Sequence, residues 1–217
     1  TADMTMALLL AAARNVVTGD RFARSPGFTC YDPSELPGLE VHGSTLGIIG
    51  MGRIGKEVAR RARGFDMRIL YHNRNRDLES EETLAVEYSE FESLLREAHF
   101  VSLNVPLTEE TEGLIGEPEL RLMREDSVLI NAARGPVVDS AALYTALTEG
   151  WIAGAALDVT EPEPLPRDHP LLELTNLVLT PHTGSATLRS RLRMGEMARD
   201  NLVAGLEERP LPNQVHK

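Results

Sequence analysis

The sequence predicts an α/β protein built on a doubly wound, mostly parallel sheet, and three observations carry that prediction. From Thr45 onward, short apolar runs alternate with longer amphipathic stretches. The first run leads directly into Gly50-Met51-Gly52-Arg53-Ile54-Gly55. The ionisable residues best suited to chemistry follow the later runs. Parallel neighbours need crossover connections, so this alternation implies a sheet covered on both faces by helices.

Composition sets the frame. The chain has 217 residues, 42% of them hydrophobic, which is enough apolar material for a core and excludes wholesale disorder. With 22 Lys plus Arg against 33 Asp plus Glu, the net charge of -11 argues against a general nucleic-acid or anionic-membrane binder. A local basic pocket is compatible with it. Cys30 is the single cysteine, so neither an internal disulfide nor a thiolate-rich metal site is expected, no metal is assigned, and the expected compartment is the cytoplasm.

In chain order, Met6 to Ala13 (MALLLAAA) has the length of a signal-peptide core, yet Asp3 precedes it and no basic leader does. It is also far short of the roughly 20 residues that span a bilayer. It reads instead as the apolar part of a helix from Asp3 to Val17, stopped by Gly19. A chain that opens at Thr1 with a helix and no preceding strand reads as a domain excised from a longer protein. Residues 25–44 contain Pro26, Gly27, Pro33, Pro37, Gly38 and Gly43 without periodicity and form a linker. About six strands follow: Leu46 to Ile49, Met67 to Tyr71, Phe100 to Val105, Val128 to Ile130, Ile152 to Leu157 and Leu177 to Leu179. Between them Ile54 to Arg63, Ser89 to Ala98, Glu117 to Arg124 and Ser140 to Glu149 are long enough for helices. A last helix, Ser185 to Glu208, ends before Pro210 and Pro212. The expected division is a dinucleotide-binding domain over 1–185, with entry helix and linker, and a C-terminal helix and tail over 186–217.

The glycine turn carries the first functional reading. Gly50 suits a tight turn, Gly52 lets a pyrophosphate approach the backbone, and Gly55 lets helix and strand pack closely, with the helix N-terminus facing the phosphates. Strand before and helix after make this a Rossmann-type dinucleotide site rather than a merely flexible loop. The second strand runs into His72-Asn73-Arg74-Asn75-Arg76, where an NAD site usually places an acid, and no acid occurs before Asp77. Asn73 with Arg74 and Arg76 would attract a 2'-phosphate, so NADP(H) is preferred and NAD(H) stays compatible. Read plainly, the same arginines could be a solvated surface turn.

Ligands in such sheets bind beyond the carboxyl ends of the strands. Arg134 follows the fourth run, Glu163 the fifth and His182 the sixth, on the edge that carries the glycine turn. Singly, each is an ordinary loop residue. Together they supply a cation for an anionic substrate and its carbonyl, an imidazole to move a proton, and a carboxylate to hold and tune that imidazole. Beside a nicotinamide, this set means hydride transfer. His42, His72, His99, His169 and His216 lack that combination of place and partners, with His169 the main decoy.

At these residues the sequence resembles the D-isomer-specific 2-hydroxyacid dehydrogenases. The likeness runs from Thr1-Ala2-Asp3-Met4-Thr5 through GMGRIG, NAARGPVVD and GAALDVTEPEP to TPHTGSAT, and DVTEPEPLP, HPLL and PHTGSAT look most like the glyoxylate and hydroxypyruvate reductase branch. The resemblance implies that Arg134 binds the substrate carboxylate and carbonyl, that His182 protonates the carbonyl oxygen, and that Glu163 tunes His182. It also implies cofactor contacts from Arg53, Ile54, Val105, Pro106, Thr111, Ala132, Ala133, Arg134, Asp158, His182 and Gly184, with Asp158 on the nicotinamide amide. A formate-oxidising branch has glutamine where Glu163 stands. Family members carry a preceding N-terminal substrate domain, missing here, to which the C-terminal helix would return. Cofactor binding is then expected from this chain alone, with weak or absent turnover. The expected substrate is a small 2-keto or 2-hydroxy acid such as glyoxylate or hydroxypyruvate. Alternatives are 3-phosphoglycerate or bulkier keto acids, or a non-catalytic dinucleotide sensor of the corepressor type. By the same resemblance the apolar face of the first helix would contribute to a homodimer.

Overall fold

The computed structural model describes residues 1–214. His216 lies outside them. The chain divides into two compact units, Thr1–Gly184 and Ser185–Lys217.

The first unit is organised by a sheet of seven parallel strands in the order β3-β2-β1-β4-β5-β6-β7. These are β1 (Thr45–Ile49), β2 (Arg68–His72), β3 (Glu87–Tyr88), β4 (Phe100–Leu103), β5 (Val128–Asn131), β6 (Gly154–Leu157) and β7 (Leu177–Leu179). Helices α1 (Ala2–Ala13), α2 (Val16–Ala23), α3 (Arg53–Ala62), α4 (Leu78–Leu84), α5 (Phe91–Glu97), α6 (Glu117–Leu122) and α7 (Ser140–Glu149) complete it. β1, β4, β5 and β6 are buried along their whole length. Their side chains alternate between two cores: Leu46, Ile48, Val128 and Ile130 join α1 and α3 on one face, while Ile49, Leu129 and Leu157 join α5, α6 and α7 on the other. Strand order reverses between β1 and β4, and the crevice at their carboxyl ends is where this architecture binds ligands.

The six expected strands are present, and two further elements join them. α4 has little apolar periodicity; it forms because Asp77 caps it, its carboxylate accepting from the Ser80 N–H at 3.0 Å, with Glu79 and Glu81 in the first turn opposing the helix dipole. β3 has only two residues and owes its existence to pairing with β2. The expected helix from Asp3 to Val17 instead breaks into α1 and α2. Asn15 takes a left-handed conformation (φ 51°) and donates to the Pro37 carbonyl at 3.0 Å, while Leu39 N–H takes the Ala13 carbonyl at 2.7 Å. The linker thus claims the end of α1, and Gly19 lies within α2 rather than stopping a helix. The apolar face of α1 also differs from expectation. Met6, Leu8, Leu9 and Ala13 are buried in the chain's own core, against α3 and strands β5 to β7.

The second unit is α8 (Leu188–Leu206), capped by Thr187 accepting from Ser190 N–H at 3.1 Å. Beyond it, Asn201 accepts from Asn213 N–H at 2.9 Å, which folds the tail back on the helix. No helix among the described residues is long and apolar enough to cross a membrane.

Candidate active site

β1 delivers the glycine turn to the crevice. Gly50 has φ +100°, and a Cβ there would lie 2.7 Å from the backbone of Asn104, just beyond β4. A Cβ on Gly55 would lie 2.2 Å from the Gly50 carbonyl, so both positions exclude any side chain. Gly52, by contrast, faces open space. It is the N-cap of α3, and no side chain caps the first-turn N–H groups beginning at Arg53 and Ile54. Helix geometry leaves those donors unpaired, a ready cradle for an anion. The donors present fit a pyrophosphate.

The turn after β2 is tied to this cradle. Asn73 Oδ1 accepts from Met51 N–H at 2.8 Å, which places Asn73 beside the glycine turn. Arg74 is exposed and forms no ion pair among the described residues. Arg76 forks onto Glu81, with Nε to Oε1 at 2.6 Å and a second guanidinium nitrogen to Oε2 at 2.7 Å. Beyond β4, Val105 is partly buried, Pro106 is exposed, and Thr111 donates to the Pro106 carbonyl at 2.6 Å.

The other three turns at this edge are held by buried polar side chains. Asn131, at the end of β5, donates to the Arg134 carbonyl at 2.9 Å and accepts from Ala133 N–H at 3.0 Å. It shapes the Ala132–Ala133–Arg134 turn from inside, and Arg134 stays exposed with its guanidinium on the Ala133 carbonyl at 2.7 Å. A Cβ on Gly135 would lie 2.0 Å from the Thr160 carbonyl, so only glycine lets this turn touch the loop after β6.

Asp158, 2% exposed, anchors the loop after β7. Its Oδ1 accepts from Thr180 Oγ1 at 2.6 Å and Thr183 N–H at 2.8 Å, and its Oδ2 from Gly184 N–H at 2.6 Å. Its carbonyl accepts from His182 N–H at 2.8 Å, and His182 itself sits at φ 53°. The result is a sharp turn that aims His182 back over the sheet edge. There His182 Nδ1 meets Glu163 Oε1 at 2.7 Å, with side chains 47% and 41% exposed. An open cleft of about 670 Å³ lies beside this pair, lined also by Leu165, Arg167 and Leu179. Neither Arg134 nor the glycine turn lines it.

The structure therefore pairs His182 with Glu163 and brings Arg134, Asp158 and Gly184 to the same edge. In the sequence, Asn131 and Thr180 stand out only as residues flanking the apolar runs. Their signal was positional: a polar residue closing an apolar run, able to bond its own turn. The decoy is explained as well. His169 Nδ1 accepts from Leu171 N–H at 3.3 Å and caps a short turn of helix.

A parallel sheet with a glycine cradle at its switch point and a His–carboxylate pair at the same edge has the architecture of a dinucleotide-binding domain. The chain belongs to the D-isomer specific 2-hydroxyacid dehydrogenase family: residues 6–184 match that family's NAD binding domain. It is 54% identical over 218 residues to the glyoxylate reductase of Korarchaeum cryptofilum, covering 100% of this chain and 66% of that protein. Among solved structures it resembles the TT0316 protein from Thermus thermophilus, with 49% identity, a TM-score of 0.93, 99% of this chain covered and 67% of that one. It also resembles a glyoxylate reductase from Paecilomyes thermophila, with 38% identity, a TM-score of 0.89, 99% of this chain covered and 64% of that one. The chain thus spans just under two thirds of the length of the curated relative described.

Proposed function

We propose that the protein containing this chain reduces a small 2-keto acid such as glyoxylate or hydroxypyruvate to the D-2-hydroxy acid, with NADPH preferred and NADH usable. The observation that carries this reading is the 2.7 Å contact between His182 Nδ1 and Glu163 Oε1, on the edge that holds Arg134 and the glycine cradle. When bound, the reduced nicotinamide supplies a hydride. The chain's residues do the rest. Gly50, Gly52 and Gly55 with Arg53 and Ile54 hold the pyrophosphate, and Asn73, Arg74 and Arg76 face the adenosine ribose. Val105, Pro106, Thr111, Ala132, Ala133, Asp158 and Gly184 line the path to the nicotinamide. Arg134 binds the substrate carboxylate and polarises its carbonyl. The Nδ1 bond to Glu163 fixes the imidazole ring and leaves Nε2 to give its proton to the carbonyl oxygen as hydride arrives.

The family match and the similarity to glyoxylate reductases support the substrate class. We further propose a cytoplasmic homodimer. Because the α1 face is buried, the exposed apolar residues Val16, Val17, Phe28 and Tyr31 are the surface offered to a second copy. The test is NADPH oxidation by the full-length protein with glyoxylate and with hydroxypyruvate, repeated on His182→Ala. Loss of the proton donor should lower kcat by about 10²- to 10⁴-fold, far more than it weakens NADPH binding. Undiminished turnover would remove His182 from the mechanism. Dinucleotide-dependent assembly without turnover would favour the sensor reading.

A further inference from the structure

Five charges, Lys56, Arg74, Arg76, Asp77 and Glu81, lie in and around the turn after β2, beside the expected 2'-phosphate position, and they are not equivalent. Lys56 Nζ lies 2.8 Å from Asp77, and Arg76 is forked onto Glu81. Each pair sums to zero. Arg74 alone contributes an unbalanced positive charge; the acid that feels it is Glu110, whose carboxyl is lowered chiefly by the Thr108 hydroxyl and least by Arg74. Glu81 is also the best held of these groups. Its side chain is 18% exposed, and Tyr71, fully buried, donates its hydroxyl to Glu81 Oε1 at 2.7 Å while accepting from Asp77 N–H at 2.7 Å. Arg76 is further pinned over the Tyr88 ring, 5.7 Å from its centroid. A guanidinium already committed to a carboxylate offers a phosphate little net attraction.

We infer that Glu81 sets how strongly this site distinguishes NADPH from NADH, by balancing the charge of Arg76 so that Arg74 alone attracts the 2'-phosphate. The inference rests on the dinucleotide reading above. Glu81→Gln keeps an acceptor for Tyr71 and removes the negative charge, which frees Arg76 for the phosphate. Wild-type chain and variants would be titrated with NADPH and NADH in low salt, following nicotinamide fluorescence. In E81Q the NADPH Kd should fall roughly threefold to tenfold while the NADH Kd stays within about twofold, and the gain should shrink as salt rises. Adding Arg76→Ala to E81Q should abolish the gain. In the wild-type background, which does not depend on E81Q folding, Arg74→Ala should weaken NADPH about tenfold and Arg76→Ala about twofold or less.

An unchanged NADPH-to-NADH ratio in folded E81Q, or equal large losses from the two single arginine variants, would overturn the inference while leaving dinucleotide binding intact. Failure of the wild-type chain to bind either dinucleotide would overturn both.

Discussion

The two ends of the candidate cofactor cleft are built on different physics. At the β5 to β7 end, the turns are fixed by desolvated side chains: Asn131 and Asp158 are 1% and 2% exposed, and their polar atoms are satisfied within the protein. At the β2 end, Asn73 and the buried Tyr71 hydroxyl tie the turn to Met51 and Asp77 N–H, while its charges sit in ion pairs reachable by solvent, Lys56–Asp77 and Arg76–Glu81. Buried hydrogen bonds have no water to replace them and tolerate no mismatch, whereas exposed charges are screened and worth little individually. The β5 to β7 end is therefore rigidly specified, and the charges at the β2 end are adjustable.

The largest effect that could break this contrast is at Asp158. Asp158→Asn turns one acceptor into a donor facing donors, Gly184 N–H on one side or Thr180 and Thr183 on the other. Leaving such buried groups unpaired should cost about 1–3 kcal/mol, seen as a Tm lowered by several degrees, and should misplace His182 so that kcat falls more than NADPH affinity. Unchanged melting and turnover would show that the β7 loop is not held this way.

The smallest effect is at the other end. Asp77's carboxyl is held below its ordinary 3.8, first by Lys56 and then by Ser80 N–H. A depressed carboxyl stabilises the fold above the unfolded value and loses that contribution as pH falls through the folded one. Lys56→Met should therefore cost no more than about 1 kcal/mol near neutrality, and the difference from wild type should close below the ordinary carboxyl range in acid-unfolding curves. A difference that persisted in acid would mean that Lys56 acts by packing instead.

Much of this was legible in the sequence because periodicity and glycine spacing report directly on backbone geometry. The run Leu177 to Leu179 and the helix Ser140 to Glu149 match β7 and α7 residue for residue. Gly50, read as a tight turn, has φ +100°, and Gly55, read as a close helix–strand contact, packs onto the Gly50 carbonyl. What sequence could not supply was competition between distant segments. Asn15 breaks the first helix only because Pro37, 22 residues on, offers a carbonyl. Met6, Leu8, Leu9 and Ala13 of α1 are covered by strands more than a hundred residues away, a contact that no local pattern announces. Likewise the arginines of the β2 turn look alike in sequence, and their difference depends on Glu81 in a helix too polar to announce itself.

The proposed function requires that this sheet edge bind a nicotinamide dinucleotide through the glycine cradle. Trp151 precedes β6 at the opposite edge and stacks under Arg121 at 3.6 Å, so it is a poor reporter, and the nicotinamide's own fluorescence is the better one. The most direct measurement is a titration of the chain with NADPH and NADH, beside Gly52→Asp, which puts a negative charge in the open space over the helix N-terminus without a steric clash. The wild-type chain should bind both saturably, NADPH more tightly, and the folded variant should bind each at least tenfold more weakly. Equal affinity of the variant and the wild type for either dinucleotide would contradict binding through the cradle.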